Sequence, residues 1–168
     1  ILLITFIIYL PILQNGFVWD DEQYIQNNSL IHSFDFKKIV TQFVEGNYHP
    51  LTILTLAIEY QFFGLNETGY HAVNLLFHLF NVVLVFFVVF HLSNKVMIAL
   101  IASLLFGIHP MHVESVAWAA EWKDLLYTFF FLGSYIFYLK YLKDSQKRFY
   151  IFALLLFVAA LLSKAMAV

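Results

Sequence analysis

TGYHAVNLLFHLFNVVLVFFVVFHLSN, residues 68–94, carries no Asp, Glu, Lys or Arg. It exceeds the about 20 predominantly apolar residues that a helix needs to cross a bilayer. Ionised side chains are the costliest groups in hydrocarbon, so a run of this length without them reads as a membrane-spanning helix. Within it His71, Asn74, His78 and Asn81 follow one another at steps of three, four and three, which puts all four on one stripe. Leu, Val and Phe fill the rest of the circumference. Acyl chains would leave such a stripe unsatisfied, so it faces other helices or a cavity. Asn81, deep in the run, suits interhelical hydrogen bonding, and His71, near the outer end, is the better candidate for a site.

Four further stretches lack the same charged types: 1–19, 96–113, 125–139 and 149–163. They are shorter and need snorkelling flanks to span. Together the five runs predict an all-α, polytopic transmembrane helix bundle with about five spans. Composition agrees, with 62% apolar, 20% aromatic and 12% charged residues, against about 25% charged in a soluble domain. The chain has no Cys, which excludes a disulfide framework and a thiolate metal site. A formal charge of −2 selects no partner, and nucleic acid is not expected. The first run lacks a basic leader and a small-residue cleavage site, so a cleaved signal peptide is not expected either. The chain opens without Met and stops at Val168 inside apolar sequence. The expectation is therefore a partial catalytic domain over 1–168, with any repeat domain beyond it.

Lys95, Lys140, Lys143, Lys147 and Arg148 fall in two short connections, which the positive-inside rule places in the cytoplasm. The connections at 14–67 and 109–124 then lie on the outer or luminal side, and every acid except Asp144 sits in them. Residues 50–64, PLTILTLAIEYQFFG, are apolar at helical spacing but carry Glu59 and are too short to cross, which predicts a helix lying in the interface.

Chemistry is expected on that acidic face. Trp19-Asp20-Asp21-Glu22 follows the first run directly; a carboxyl among like charges and partly out of water titrates higher and makes a better base. The plainer reading is a solvated loop with an Asp capping the next helix. His109-Pro110-Met111-His112-Val113-Glu114 opens the second outer loop. Its spacing is not that of a zinc helix and no further ligands complete it, so no metal is expected. Its imidazoles suit phosphate, and Glu114 suits sugar hydroxyls. Farther along stand Trp118, Trp122 and Lys123. The tryptophans read as interfacial anchors, and Lys123 reads as a substrate contact, with pairing to Asp124 or snorkelling as the ordinary alternatives. Lys164, a lone outer cation at the end of the last run, can hold a lipid phosphate as a point charge.

These residues carry a resemblance. The ordered set Gly16-Phe17-Val18-Trp19-Asp20-Asp21, Tyr48-His49-Pro50-Leu51-Thr52, Gly64-Leu65-Asn66, Gly69-Tyr70-His71 with Asn74 and His78, His109-Pro110 with His112, Glu114 and Val116, and Leu161-Leu162-Ser163-Lys164 resembles the N-terminal half of the transmembrane-and-tetratricopeptide-repeat O-mannosyltransferases, across essentially the whole chain. The resemblance implies a GT-C-like fold that takes mannose or another hexose from a polyprenyl or dolichyl phosphate. The sugar passes to a hydroxyl, on protein Ser/Thr or on a glycan, at the outer or luminal face. It implies an integral, multi-pass protein of the bacterial inner membrane or the endoplasmic reticulum membrane, with no cofactor beyond the lipid-linked donor. It also implies catalytic acids where Asp20 and Asp21 stand, a donor-phosphate site to which His49, His109, His112 and Lys164 are assigned, and substrate contacts from Tyr24, His71, Lys123 and Glu114. Asp20 is the first choice of base because its spacing to Tyr24 resembles the acid-then-tyrosine pattern of relatives. Two departures stand out: relatives usually have Arg where His49 stands and Glu where Ala165 stands.

The chemistry agrees with so sparse a set. A phosphate leaving group needs no general acid, so inverting transfer requires one carboxylate base and donors around the phosphate. A transporter would also carry polar stripes and intramembrane His, but it would place its site near the midplane on broken helices or internal repeats. A non-catalytic scaffold is the third reading, favoured if Asp20 and Asp21 are dispensable.

Overall fold

The computed structural model describes residues 1–164, and Ala165 lies outside them. Every regular element among these residues is helical, and extended chain pairs only in one bridge between Val44 and Asn47. Helix α1 (Leu2–Tyr9) runs into a tight turn, Leu10–Gln14. The first loop holds a π-helical turn, Glu22–Gln26, and two short α-helices, α2 (Ser29–Ser33) and α3 (Phe36–Thr41). Each of the two α-helices starts on a side-chain cap: Asn28 accepts the Leu30 N–H and Asp35 the Lys38 N–H, satisfying donors that a helix start leaves free. Then follow α4 (Pro50–Phe63), α5 (Glu67–Ser93), α6 (Val96–Ile108), α7 (Val113–Ala117), α8 (Trp122–Asp144) and α9 (Lys147–Ser163). The α5–α6 and α8–α9 turns are closed by Asn94 and Ser145 in the left-handed conformation.

Two helices, α5 and the segment Ala119–Asp144 that contains α8, are long and apolar enough to cross a membrane. A third qualifies only if α6 and the segment Pro110–Ala117 are joined across a bend of 49°. The expected count of about five is thus not confirmed. Charge-free runs count residues that helix geometry excludes: Pro11, at the start of the tight turn, has no N–H to continue α1. Lys147 and Lys164 leave only 17 residues for α9, about 25 Å of helix against a hydrocarbon core of about 30 Å. Outward-facing Leu3, Ile7, Met97, Ile101, Leu105, Ile151, Leu155 and Val158 are all exposed. So much uncovered apolar surface marks a membrane protein.

The α5 stripe is buried, with His71, Asn74, His78 and Asn81 all essentially inaccessible. Its partners are backbone carbonyls of three other segments. The Asn74 amide donates to Val116 O (3.3 Å) and Trp118 O (3.1 Å), His78 Nε2 to Gly107 O (3.0 Å), and Asn81 to Leu125 O (3.0 Å). The stripe therefore fastens α5 to α6, to the second loop and to α8. Gly107 permits the α6 contact, since a Cβ there would lie 2.6 Å from Thr5 Oγ1 and 3.1 Å from Val82 Cγ2. At the other end, Ser134 Oγ donates to Ala153 O (2.8 Å) and ties α8 to α9.

Residues 50–64 form a helix as expected, and one face of α4 is covered by the rest of the molecule: Thr52, Ile53, Leu56, Ala57 and Glu59 are buried, while Ile58, Phe62 and Phe63 are exposed. Neither carboxyl oxygen of Glu59 has a hydrogen-bond partner. Burial pushes its pKa up to about 8. A folded-state value above the unfolded one makes Glu59 favour folding fully only below its ordinary range. Between the ordinary carboxylate value and about 8, the unfolded chain ionises and the folded one does not, so stability falls by about 1.4 kcal/mol per pH unit. Glu59→Gln is expected to remove that slope, leaving a thermal midpoint higher than the wild type's at pH 8. Parallel midpoint-against-pH curves for the two proteins would refute the assignment.

Candidate functional site

The first loop leaves the tight turn through Asn15 and Gly16 and reverses at residues 18–21. Trp19 has φ 51°, and the Asp21 N–H donates to Val18 O (3.0 Å). Within the turn the Val18 N–H donates to Asp21 Oδ2 (2.9 Å), while the Ala120 N–H, from the second loop, donates to Asp21 Oδ1 (2.6 Å). Asp21, fully buried, thereby joins the two loops. Burial raises its pKa; the Val18 and Ala120 N–H groups and the Trp118 indole beside it pull the value back, and the Asp20 charge pushes it up again. The Trp118 Nε1–H itself completes no hydrogen bond of normal geometry. Asp20 is exposed. Its backbone carbonyl accepts the Tyr24 N–H (2.9 Å), and its carboxylate makes no bond to the protein among the described residues.

One residue beyond Ala120 a charged cluster begins. Lys123 Nζ lies 2.8 Å from Glu121 and 4.9 Å over the Tyr24 ring. Lys164 pairs with Asp124 and lies 3.7 Å from Glu121. Tyr24 stacks on His49, with centroids 5.5 Å apart and planes 30° apart. Thr52 Oγ1 donates to Ser163 O (2.7 Å), which seats the end of α9, and Lys164 with it, on the start of α4. His49 is buried, and its Nε2 has no partner among the described residues. Burial lowers its pKa to about 4, with the Lys123 and Lys164 charges adding to the effect. It is therefore neutral at physiological pH and can offer an anion an N–H but no charge. Burial alone would lower Lys164, but Asp124 and Glu121 more than offset it and hold the ammonium charged.

The residues singled out in the sequence thus separate into groups. Tyr24, His49, Lys123 and Lys164 come together, and the turn carrying Asp20 and Asp21 is tied by the Ala120 bond to the loop that leads into them. Lys123 pairs with Glu121, and Asp124 takes Lys164 instead. Sequence reasoning weighed Asp124 only as a local partner of Lys123 and gave Glu121 no role; the one signal of both acids is their position at the start of α8, where negative charge is favoured. Glu114, exposed, belongs to a cleft of about 510 Å³ shared with Asn15, Val18, Trp19, Val113 and Trp118. Trp19 and Trp118 meet edge to face there, 5.1 Å apart.

His109 and His112 fall elsewhere. His109 Nδ1 accepts the Met111 N–H (3.2 Å) and caps the turn after α6. The His112 ring packs 4.4 Å from Phe106 and 6.0 Å from His78, in an aromatic group that Tyr9 completes. The bend after α6 turns the His112 imidazole toward α5, while His109 stays exposed beside it, 5.9 Å between ring centroids. His71 is buried beside the backbone of Asn15 and Gly16, without a well-formed hydrogen bond from either ring nitrogen. It buttresses the first loop from below. Among the described residues no three His, Asp or Glu are grouped to hold a metal ion.

Comparison with known proteins places this arrangement in context. The chain is 31% identical over 176 residues to Protein O-mannosyl-transferase Tmtc1 of Drosophila melanogaster, covering 98% of this chain and 20% of that protein. It is 34% identical over 158 residues to Protein O-mannosyl-transferase TMTC4 of Homo sapiens, covering 78% and 21%. Protein O-mannosyl-transferase F38B6.6 of Caenorhabditis elegans is 32% identical over 152 residues, covering 82% and 22%. The chain spans about a fifth of the length of these curated relatives. No family model matches it, and no solved structure does.

Proposed function

We propose, since this chain belongs to the transmembrane-and-tetratricopeptide-repeat O-mannosyltransferase family, that it forms part of the catalytic unit of a multi-pass membrane glycosyltransferase of GT-C type. The enzyme moves mannose, or another hexose, from a polyprenyl or dolichyl phosphate to a protein Ser/Thr hydroxyl at the outer or luminal face. The observation that carries this reading is the Asp21 bridge. By accepting both the Val18 and the Ala120 N–H, it ties the turn that carries Asp20 to the loop that leads into Lys123, which supports a shared site.

Asp20 takes the proton of the acceptor hydroxyl as its oxygen bonds to the sugar's anomeric carbon. The bond from that carbon to the phosphate oxygen breaks, and the lipid phosphate leaves with the electron pair, giving inversion. Lys164, Lys123 and the His49 N–H hold the departing anion, in the manner of preorganised donors aimed at developing charge. In the resting arrangement both lysines are paired with Glu121 and Asp124, so a phosphate enters by exchanging with those carboxylates. Lys95 and the basic residues of the α8–α9 turn then face the cytoplasm.

Lys164→Ala in the full-length protein removes a charged donor and leaves Asp124 and Glu121 to repel the phosphate. Charged hydrogen bonds contribute about 1.5–3 kcal/mol, so binding of the mannosyl lipid phosphate is expected to weaken by about 10- to 150-fold. Turnover at saturating donor should change less. Unaltered donor binding would remove the phosphate site from this cluster.

A further inference from the structure

We infer that the cleft between the first and second loops binds an extended polypeptide segment of the acceptor, and that it favours basic residues beside the reacting Ser or Thr. The inference rests on the transferase reading and adds the acceptor's place and charge.

Position comes first. Val18 on one wall and Ala120 just past the other both donate to the buried Asp21 carboxylate, so the separation of the walls is set by the protein and not by a ligand. Asp20 follows Trp19 directly, so a hydroxyl on a chain lying in the cleft comes up at the free carboxylate. At about 510 Å³ the cleft is of ligand-binding size. Its rim residues Val18, Trp19, Val113 and Glu114 are exposed, so a loop of an acceptor protein can enter sideways without threading.

The chemistry of the walls suits a polypeptide. Trp19 is 75% exposed and held at φ 51°, a conformation that a bulky residue adopts only when its surroundings enforce it. With Trp118 against it, it offers a rigid amphipathic surface of the sort enriched in energetic hot spots. The Asn15 amide can both donate to and accept from a peptide backbone.

Charge separates this cleft from the donor side. Glu114 lines it, Asp20 adjoins it, and the Glu67 carboxyl lies against Gly16, next to Asn15. Among the described residues no lysine lines it, and the two lysines of the site are engaged by Glu121 and Asp124. An acidic lip repels a lipid phosphate and attracts Lys or Arg.

The test uses the full-length protein in lipid nanodiscs without donor. The probes are a fluorescein-labelled ten-residue peptide of Thr and Gly with two Lys, and its counterpart with two Glu, followed by fluorescence anisotropy. The Lys peptide should bind about tenfold more tightly than the Glu peptide. Trp19→Ala should weaken the Lys peptide by about tenfold, the effect of truncating an aromatic anchor, and Glu114→Gln should shrink the difference between peptides. Binding of mannosyl lipid phosphate should be unchanged in Trp19→Ala; since both side chains are exposed, folding is not at risk. Equal binding of both peptides, unaffected by Trp19→Ala, would overturn the inference. So would loss of donor binding with peptide binding intact, which would assign the cleft to the donor's sugar. If wild type transfers mannose while neither variant alters peptide KM, the inference fails and the transferase reading stands. If peptide binds as expected but no transfer occurs, the transferase reading fails and the polypeptide site remains.

Discussion

Asp20→Asn in the full-length protein is expected to lower mannosyl transfer by about 10²–10⁴-fold, the range typical of losing a general base. The thermal midpoint and the affinity for mannosyl lipid phosphate should be essentially unchanged. The substitution is nearly isosteric, and the carboxylate it replaces is exposed and makes no bond to the protein among the described residues. No buried donor is left unpaired, so stability should move by no more than the about 0.5 kcal/mol usual at the surface. What disappears is the capacity to accept the acceptor's proton. Single-turnover transfer from preloaded donor isolates that step. Near-normal transfer by a folded Asp20→Asn protein would sink the mechanism and return the transporter and scaffold readings to favour.

How far the sequence could be read follows from the range of each interaction. Steps of three, four and three place His71, Asn74, His78 and Asn81 on one stripe, and burial of the stripe follows from the cost of unsatisfied groups in lipid. Its partners were not legible, because they are carbonyls of Gly107, Val116, Trp118 and Leu125, and any residue type supplies a carbonyl. The same limit hid the role of Asp21. Both of its donors are backbone N–H groups, and the Ala120 bond crosses from one loop to the other.

Ion pairing was misread for a related reason. Lys123 beside Asp124 invites a local pair, but Lys164 reaches Asp124 from the end of α9, and Lys123 turns back to Glu121. His109 and His112 were grouped with the lysines because the sequence places all of them on one predicted face. A shared face does not make a shared site: His112 goes into aromatic packing with Phe106 and His78, and His109 caps the turn after α6. The number of spans is not confirmed, because absence of charge is necessary for a span but does not set helix length.

Asp21→Ala is expected to behave in the opposite way from Asp20→Asn, losing stability and transfer together. The buried carboxylate satisfies the Ala120 N–H, which has no water to turn to, and the Val18 N–H, which sits on an exposed residue. Leaving a buried donor unpaired costs about 1–3 kcal/mol. Most of that falls on the Ala120 side, where the carboxylate is the link between loops. Thermal unfolding followed by tryptophan emission should show a lower midpoint, and limited proteolysis should cut the first loop faster. With the loops uncoupled, Asp20 no longer lies at a fixed distance from the lysine cluster, so transfer falls even though the base is intact. Asp21→Asn keeps one acceptor oxygen but turns an amide N–H₂ toward the other donor, so it should lose part of the stability and not recover it at any pH. The two aspartates are therefore separable by one pairing of measurements: turnover lost with stability kept identifies the base, and turnover lost with stability identifies the bridge. If Asp21→Asn abolished transfer with an unchanged midpoint while Asp20→Asn remained active, the roles would be exchanged, with Asp21 the base despite its burial.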